Sequence, residues 1–84
     1  MVRRFDAFYP PVVIQALLGK RIAELRVAKG ISQEKLASIS GYSTEFISLV
    51  ERGRNAPSVA GLARIAKGLG VEVKELFEFA KGSG

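Results

Sequence analysis

Glycine divides the middle of this 84-residue chain into short segments, and this division constrains the fold more than any other feature. Gly30, Gly41, Gly53 and Gly70 each follow a stretch in which apolar residues recur every three or four positions. That periodicity is typical of amphipathic helices, and a glycine suits the left-handed conformation in which many helices end. No segment shows the strict apolar–polar alternation of a half-buried strand. The sequence therefore predicts an all-α fold built from short helices.

Serine and proline residues mark where the predicted helices begin. Ser32, Ser43 and Ser58 each stand one residue ahead of a predicted helix, where a hydroxyl can accept a hydrogen bond from a free backbone N–H. Pro10 or Pro11 suits the first turn of the first helix, where an N–H is not needed. The predicted helices are residues 11–29, 33–40 and 44–52, a fourth that begins after Pro57 and ends at Gly70, and a fifth over about Val73–Phe79.

The length of the chain predicts one domain with a small core. A chain of 84 residues buries only about 60% of its extended surface on folding. We expect residues 1–10 to form an N-terminal arm or an extra turn, since Phe5, Phe8 and Tyr9 have helical spacing there. Residues 11–80 are expected to form the domain, and residues 81–84 a flexible tail.

Positive charge is concentrated in the first four-fifths of the chain. The sequence has 13 Lys and Arg against 8 Asp and Glu, a formal net charge of +5. Residues 1–67 hold eleven of the basic and five of the acidic side chains, which leaves +6, whereas residues 68–84 carry −1. A basic small domain suggests a polyanionic partner such as DNA or RNA. A solubilising surface is the alternative, and charge alone does not decide between them.

Cysteine and histidine are both absent, which excludes several kinds of site. There is no disulfide, zinc finger, thiol nucleophile or imidazole base. We therefore expect no catalytic residue, no metal, no cofactor and no small-molecule ligand, and the protein is not expected to be an enzyme. The lack of cysteine favours a reducing cytoplasm. No membrane association is expected, because the longest uncharged run, residues 7–19, has thirteen residues, fewer than the ~20 that span a bilayer.

A short helix, a tight turn and a second short helix are predicted to follow one another over about residues 33–52. Ala37 allows the two helices to approach closely, and Gly41 permits the turn. Such a helix-turn-helix places its second helix in the major groove of DNA, which is about 12 Å wide and admits one helix. Two amphipathic helices joined by a glycine are common, so this pattern alone is weak.

The wider sequence resembles the Cro/repressor-type helix-turn-helix family, also called XRE-type, over residues 18–77. The similarity lies in Ser32-Gln33-Glu34-x-Leu36-Ala37, Gly41, Ile47-Ser48, Val50-Glu51-Arg52-Gly53 and Pro57-Ser58. The resemblance implies a compact five-helix, lambda-repressor-like domain that binds double-stranded operator DNA as a homodimer. It implies a phosphate contact for Gln33, base contacts from the second helix and backbone contacts from the loop after it. The expected DNA-binding residues are Gln33, Ser43, Thr44, Glu45, Phe46, Ser48, Leu49, Arg52, Arg54 and Asn55.

The predicted recognition helix lacks the side chains that read bases most strongly. Arg reads guanine, and Gln or Asn reads adenine, but none of these occupies the groove-facing positions Thr44, Glu45, Ser48 and Leu49. Residues 43–52 carry a net charge of −1, with Glu51 expected to have a structural role. Glu45 can accept from cytosine or simply stabilise the helix start. We therefore expect specificity to depend on the loop, on DNA shape or on a few polar contacts.

The apolar residues near the C-terminus are expected to form a dimer contact, as the resemblance implies for the last helix. Phe77 and Phe79 are two apart and cannot share one helix face, so one is expected to enter the core. The alternative is that these rings pack against the aromatic residues of the N-terminus. The expected dimer residues are Val71, Val73, Leu76, Phe77 and Phe79.

Three functions remain open at this point. The favoured one is a dimeric transcriptional regulator on a palindromic operator, similar to the controller proteins of restriction–modification systems. An antitoxin that represses its own operon is closely related to it. The third is a protein-interaction module that kept the fold but lost specific DNA binding, which the acidic, arginine-poor recognition helix would explain.

Overall fold

The computed structural model of the protein describes residues 9–79, and within this range the chain is helical without any strand. The elements are α1 (Pro11–Lys29), α2 (Gln33–Ser40), α3 (Thr44–Glu51), α4 (Val59–Leu69) and a C-terminal 3₁₀ helix (Val73–Phe77). The predicted all-α fold is confirmed, although the fifth helix is a 3₁₀ helix that ends two residues earlier than expected. The expected extra turn and flexible tail lie outside the described residues, apart from Tyr9 and Pro10, which precede α1 in non-helical conformation.

The predicted caps define the helix boundaries. Ser32, Ser43 and Ser58 each accept a hydrogen bond of 3.0 Å from the backbone N–H three residues further on. A glycine in the left-handed conformation follows α1, α2 and α4. α3 ends one residue earlier than predicted, with Arg52 as its C-cap. The short helices therefore begin and end at residues whose local chemistry favours an end there.

One apolar core joins all five elements. The buried apolar side chains among the described residues are Leu18, Ile22, Leu36, Ala37, Ile47, Val50, Ile65, Ala66, Leu69 and Leu76. Ser40 is a polar residue that is wholly buried in this core, and its hydroxyl donates to the Leu36 carbonyl at 2.7 Å. Each helix therefore turns its periodic apolar positions inward, and the opposite faces of α2 and α3 are free for other contacts.

The C-terminal 3₁₀ helix corrects two expectations about the dimer residues. Leu76 is fully buried, so the prediction that it lies in an exposed dimer surface is wrong. Neither phenylalanine enters the core, because Leu76 takes that place, while Phe77 stays 39% exposed and Phe79 lies beyond the helix end. Arg21 on α1 binds the 3₁₀ helix, because its Nε donates a hydrogen bond to the Glu75 carbonyl at 2.9 Å.

α1 is the longest helix and crosses α3 at very short range. A Cβ added at Gly19 would lie 2.0 Å from the Val50 carbonyl oxygen, so only glycine lets the two backbones come this close. No helix between residues 9 and 79 is long and apolar enough to cross a membrane.

We predict that Gly19→Ala destabilises the domain even though alanine favours helix. The propensity gain is about 1 kcal/mol, but the added methyl must push α3 away from α1, and such overpacking costs about 1–3 kcal/mol or more. Urea denaturation should show a net loss. Lys20→Ala, on the exposed neighbouring position, is the control and should be near neutral. Equal stability of Gly19→Ala and the unmutated chain would mean that the contact is not as tight as described.

Candidate nucleic-acid interface

The turn between α2 and α3 is closed by backbone hydrogen bonds. Gly41 has a φ of 77°, in the left-handed region, and the Tyr42 N–H donates to the Ala37 carbonyl at 3.0 Å. Ile47 and Val50 are buried and fix the inner face of α3 against α2 and α1. The two helices therefore form a helix-turn-helix, with the start of α3 turned outward.

The residues predicted to contact DNA fall into two groups by exposure. Ser43, Thr44 and Glu45 at the start of α3 are exposed, as are Arg52, Arg54 and Asn55 in the loop that follows it. The half-buried group consists of Gln33, Phe46, Ser48 and Leu49. Thr44 and Ser48 are four residues apart, as are Glu45 and Leu49, so both pairs lie along one side of the helix. The outer side of α3 is thus a short, mostly uncharged polar ridge with one acidic group.

Glu51, at the end of α3, is bound by an arginine from α1. Arg26 donates from Nε to Oε2 of Glu51 at 2.7 Å and from Nη2 to Oε1 at 3.1 Å. Its third nitrogen, Nη1, donates to the Ile31 carbonyl at 2.9 Å. The Glu51 side chain is only 6% exposed. The expected structural role of Glu51 follows from this geometry, because the carboxylate faces the protein interior and not the outer side of α3.

Gln33, the first residue of α2, belongs to the same network. Its Nε2 donates to Oε1 of Glu51 at 2.9 Å. A side-chain amide nitrogen carries two hydrogens, so one is held by Glu51 and the second is available to another acceptor. The start of α2 is thereby connected to the end of α3 through side chains, in addition to the turn that joins the helices along the chain.

This network changes the electrostatics deduced from composition. Glu51 is neutralised by Arg26, so it does not add negative charge to the surface of α3. The exposed charges on residues 43–52 are those of Glu45 and Arg52, which are opposite in sign. Arg52 lies back along the helix, with Nε 3.4 Å from the Ser48 carbonyl. The outer face of α3 is therefore close to neutral, and the unfavourable charge that the sequence suggests is largely internal.

The loop after α3 is held in place by α1 and α3. Gln15 of α1 donates from Nε2 to the Gly53 carbonyl at 3.1 Å, a contact that the sequence does not suggest. The Arg54 N–H donates to the Leu49 carbonyl at 2.8 Å. The Asn55 carboxamide oxygen accepts from the Ala56 N–H at 2.9 Å. The backbone is fixed while the side chain of Arg54 is exposed, as a phosphate contact would require.

Two side chains that sequence reasoning did not single out support the turn. Tyr42 stacks on Phe46 with ring centroids 4.4 Å apart. Arg64 of α4 donates from Nε to the Ser40 carbonyl at 2.8 Å and lies 5.2 Å from the centre of the Tyr42 ring. An apolar residue just before an N-cap often packs on the first helical turn, which is the signal that could have identified Tyr42. The Phe46 ring, expected from the sequence to contact DNA, is therefore packed against the turn in this structure.

An aromatic patch formed by Tyr9, Phe77 and Phe79 connects the two ends of the described chain. The Phe79 ring meets Phe77 at 6.2 Å and Tyr9 at 6.3 Å, both in edge-on geometry. Packing of the C-terminal rings against an N-terminal aromatic residue therefore does occur within one chain. Tyr9 and Phe77 remain about two-fifths exposed, as does Val73, whereas Val71 packs against the core.

Comparisons with known proteins agree with this geometry. A sequence profile described as helix-turn-helix matches residues 22–76. An HTH-type transcriptional regulator of Sinorhizobium fredii, y4dJ, is 41% identical over 63 residues, which are 75% of this chain and 82% of that protein. The control protein C.BamHI of Bacillus amyloliquefaciens is 37% identical over 67 residues, which cover 79% of this chain and 83% of that protein.

Solved structures give the same result at the level of the fold. The restriction–modification controller protein C.AhdI from Aeromonas hydrophila aligns with a TM-score of 0.73 and 41% identity, covering 75% of this chain and 96% of that one. The clp gene regulator ClgR from Corynebacterium glutamicum aligns with a TM-score of 0.76 and 31% identity, covering 84% of this chain and 88% of that one.

We predict that Glu51→Ala lowers the free energy of unfolding by on the order of 3 kcal/mol, because it leaves the Arg26 guanidinium half-buried without its carboxylate. Glu45→Ala removes an exposed carboxylate from the same helix and is the matched control, with an expected change of less than about 0.5 kcal/mol. Chemical denaturation of the two variants measures the difference. Similar losses in both would show that the Arg26–Glu51 pair does not anchor α3.

Proposed function

The chain belongs to the XRE-type helix-turn-helix family of transcriptional regulators, and from this premise we propose that it is a homodimer that binds a palindromic DNA operator with α3 in the major groove. One observation carries the proposal. The start of α3 is exposed and polar, while its inner face and its far end are fixed to α1 and α2. A rigid helix with a free outer turn is what reading base edges requires.

Contacts with the DNA phosphates, made by Gln33 and by the loop after α3, would supply most of the affinity. Gln33 presents one free amide hydrogen at the N-terminus of α2, where the helix dipole also favours an anion. Arg54 presents an exposed guanidinium on a loop whose backbone is fixed. The Gln33 amide binds Glu51 at the end of α3, and Arg54 follows α3 by three residues, so both groups lie near the C-terminal end of α3. Together they would set the register of the protein on the phosphates.

Base discrimination would come from the outer side of α3. Thr44 and Ser48 carry hydroxyls that can donate or accept, and Glu45 can accept from the amino group of cytosine. Because these side chains are short, α3 must approach the groove floor closely, which the near-neutral outer face allows. DNA shape would add to the selection at positions without a direct contact.

The protein-interaction alternative loses part of its support in this structure. It rests on an acidic recognition helix, and the internal pairing of Glu51 with Arg26 removes one of the two acidic groups from the surface. An autorepressing antitoxin uses the same DNA-binding site, so it differs only in having a protein partner. DNA binding is therefore the activity to test first.

We predict that selection from random-sequence duplexes enriches a two-fold symmetric site with half-sites about 34 Å apart. Affinity for the selected site should exceed that for non-specific DNA by about 10³-fold or more at physiological salt. Both affinities should fall linearly with the logarithm of salt concentration, because bound counterions are released. Absence of any enriched sequence would contradict specific regulation and favour the protein-interaction alternative.

Substitutions then separate the two kinds of contact. Arg54→Ala and Gln33→Ala should weaken binding to all sequences alike, and Arg54→Ala should reduce the salt slope by about one. Thr44→Ala should change base preference at one position in each half-site, by about 1–3 kcal/mol. Lys74→Ala removes one positive charge from the 3₁₀ helix, outside the helix-turn-helix, and is the matched control for Arg54→Ala. Equal losses of DNA affinity in Lys74→Ala and Arg54→Ala would show that binding depends only on the net charge of the protein.

The aromatic patch is the surface that we propose for the dimer, with Val73, Phe77 and Phe79 as its expected contacts. Phe77 and Val73 are each 39% exposed on the 3₁₀ helix. A small domain with a modest core gains stability by covering such a surface. Val71 would contribute only through its exposed part, since it also packs on the core.

We predict that Phe77→Ser shifts the sedimentation equilibrium of the dimer towards monomer by at least tenfold in its dissociation constant, because it removes an apolar ring from the interface. Val59→Ser is the control, since Val59 is 83% exposed at the start of α4 and is not one of the residues that form the aromatic patch. Circular dichroism should show that both variants stay folded. An unchanged dimer in Phe77→Ser would place the interface elsewhere.

A further inference from the structure

Gly61, inside α4, is buried where a tyrosine from the turn lies across the helix. A Cβ built at Gly61 would fall 1.7 Å from the Tyr42 hydroxyl oxygen and 2.7 Å from Cζ of that ring. The backbone at Gly61 is ordinary α-helix, so glycine is not required for its conformation. Glycine within a helix costs about 1 kcal/mol relative to alanine. The presence of glycine at residue 61 is therefore explained by the space that the Tyr42 side chain occupies.

A second group on α4 holds the same ring. Arg64 follows Gly61 by three residues, so both lie on one face of α4. Its guanidinium is 5.2 Å from the centre of the Tyr42 ring, within the range of a cation–π contact. The hydrogen bond from Arg64 Nε to the Ser40 carbonyl, at 2.8 Å, fixes the guanidinium on the end of α2. α4 therefore leaves the space that the Tyr42 ring occupies, at Gly61, and places the Arg64 guanidinium over that ring. We call the space at Gly61 the seat of Tyr42.

The Tyr42 ring in turn contacts the first turn of α3. Its ring stacks on Phe46 at 4.4 Å with an angle of 29° between the ring planes. Phe46 is the third residue of α3 and directly follows Thr44 and Glu45, which are exposed. A shift of the Tyr42 ring would therefore move the turn of α3 that carries the exposed side chains.

We propose that Gly61 and Tyr42 are specificity-determining positioning residues, which set the angle at which the first turn of α3 faces the bases. This inference rests on the proposed DNA-binding function. Hydrogen bonds to base edges are sensitive to shifts of less than 1 Å. The backbone contacts are held independently, Gln33 by Glu51 and the Arg54 loop by Gln15. Disturbing the seat of Tyr42 therefore reduces sequence discrimination and leaves non-specific affinity largely intact.

The test compares two buried glycines of α4 in the full chain. Gly61→Ala overfills the seat of Tyr42 and is expected to lower the ratio of operator to non-specific affinity at least tenfold, with non-specific affinity changed less than about twofold. Gly68→Ala is the matched control, since its Cβ would meet the Ile39 side chain on α2, with Cγ2 at 2.7 Å, and not the turn. Its affinity ratio should change less than about twofold.

Two further variants keep the test decisive if Gly61→Ala does not fold. Tyr42→Ala removes the ring from the space at Gly61 without introducing a clash. In protein that circular dichroism shows to be folded, it should lower the ratio of operator to non-specific affinity at least tenfold. Tyr42→Phe keeps the ring and its stacking on Phe46, so it should retain the ratio within about threefold. A purely structural role would lower the melting temperature of Tyr42→Ala and leave the ratio unchanged, which would overturn the proposal.

The unmutated chain distinguishes failure of this inference from failure of the function beneath it. If it shows no preferred sequence, the proposed function is wrong and the positioning role falls with it. If it prefers an operator and both Gly61→Ala and Tyr42→Ala retain that preference within twofold, only the positioning role is overturned.

Discussion

The ion pair between Arg26 and Glu51 is the interaction on which the arrangement of the first three helices depends. It joins the last turn of α1 to the last residue of α3, and the same two side chains also bind Ile31 and Gln33. A carboxylate this deeply buried would be very unfavourable alone, so the pair must stay intact in the folded protein. Because the ion pair is bidentate, it fixes the relative orientation of the two side chains as well as the distance between them. The relation between the start of α2 and the end of α3 is thereby fixed.

Local features of the sequence were sufficient to predict the helices but not the contacts between them. Serine and glycine act within a few residues of where they stand, so Ser32 and Gly41 indicate boundaries correctly. The Arg26–Glu51 pair spans 25 positions, and nothing in the spacing of charges distinguishes it from a solvated pair. The surface position that the sequence predicts for Leu76 is wrong for a similar reason, because periodicity over so short a segment does not identify the buried position of a 3₁₀ helix.

The distribution of charge has a different meaning once the internal pair is known. Counting residues 43–52 gives an acidic recognition helix, which argues against DNA. In the structure, the Glu51 carboxylate is paired with Arg26, and the paired Arg26 is in turn unavailable to a phosphate. The net charge of the chain is unchanged, but one acidic and one basic group no longer act at the surface. What remains is a nearly neutral α3 followed by a loop with an exposed arginine, so attraction and discrimination fall to different parts of the site.

Both ends of α3 are positioned by glycines that belong to other helices. Gly19 of α1 admits the Val50 carbonyl at the C-terminal end, and Gly61 of α4 admits the Tyr42 ring that packs beside the N-terminal end. In each case a side chain is absent where a neighbouring group must enter, and interiors packed at crystal-like density leave no other room for it. An arginine from each of these two helices adds a polar contact nearby, because Arg26 binds the Glu51 carboxylate and Arg64 binds the Ser40 carbonyl. Together with the packing of α3 on α2, these contacts from α1 and α4 fix the orientation of α3. Because α1 and α4 are not expected to read bases, the outer side chains of α3 can vary without loss of that orientation.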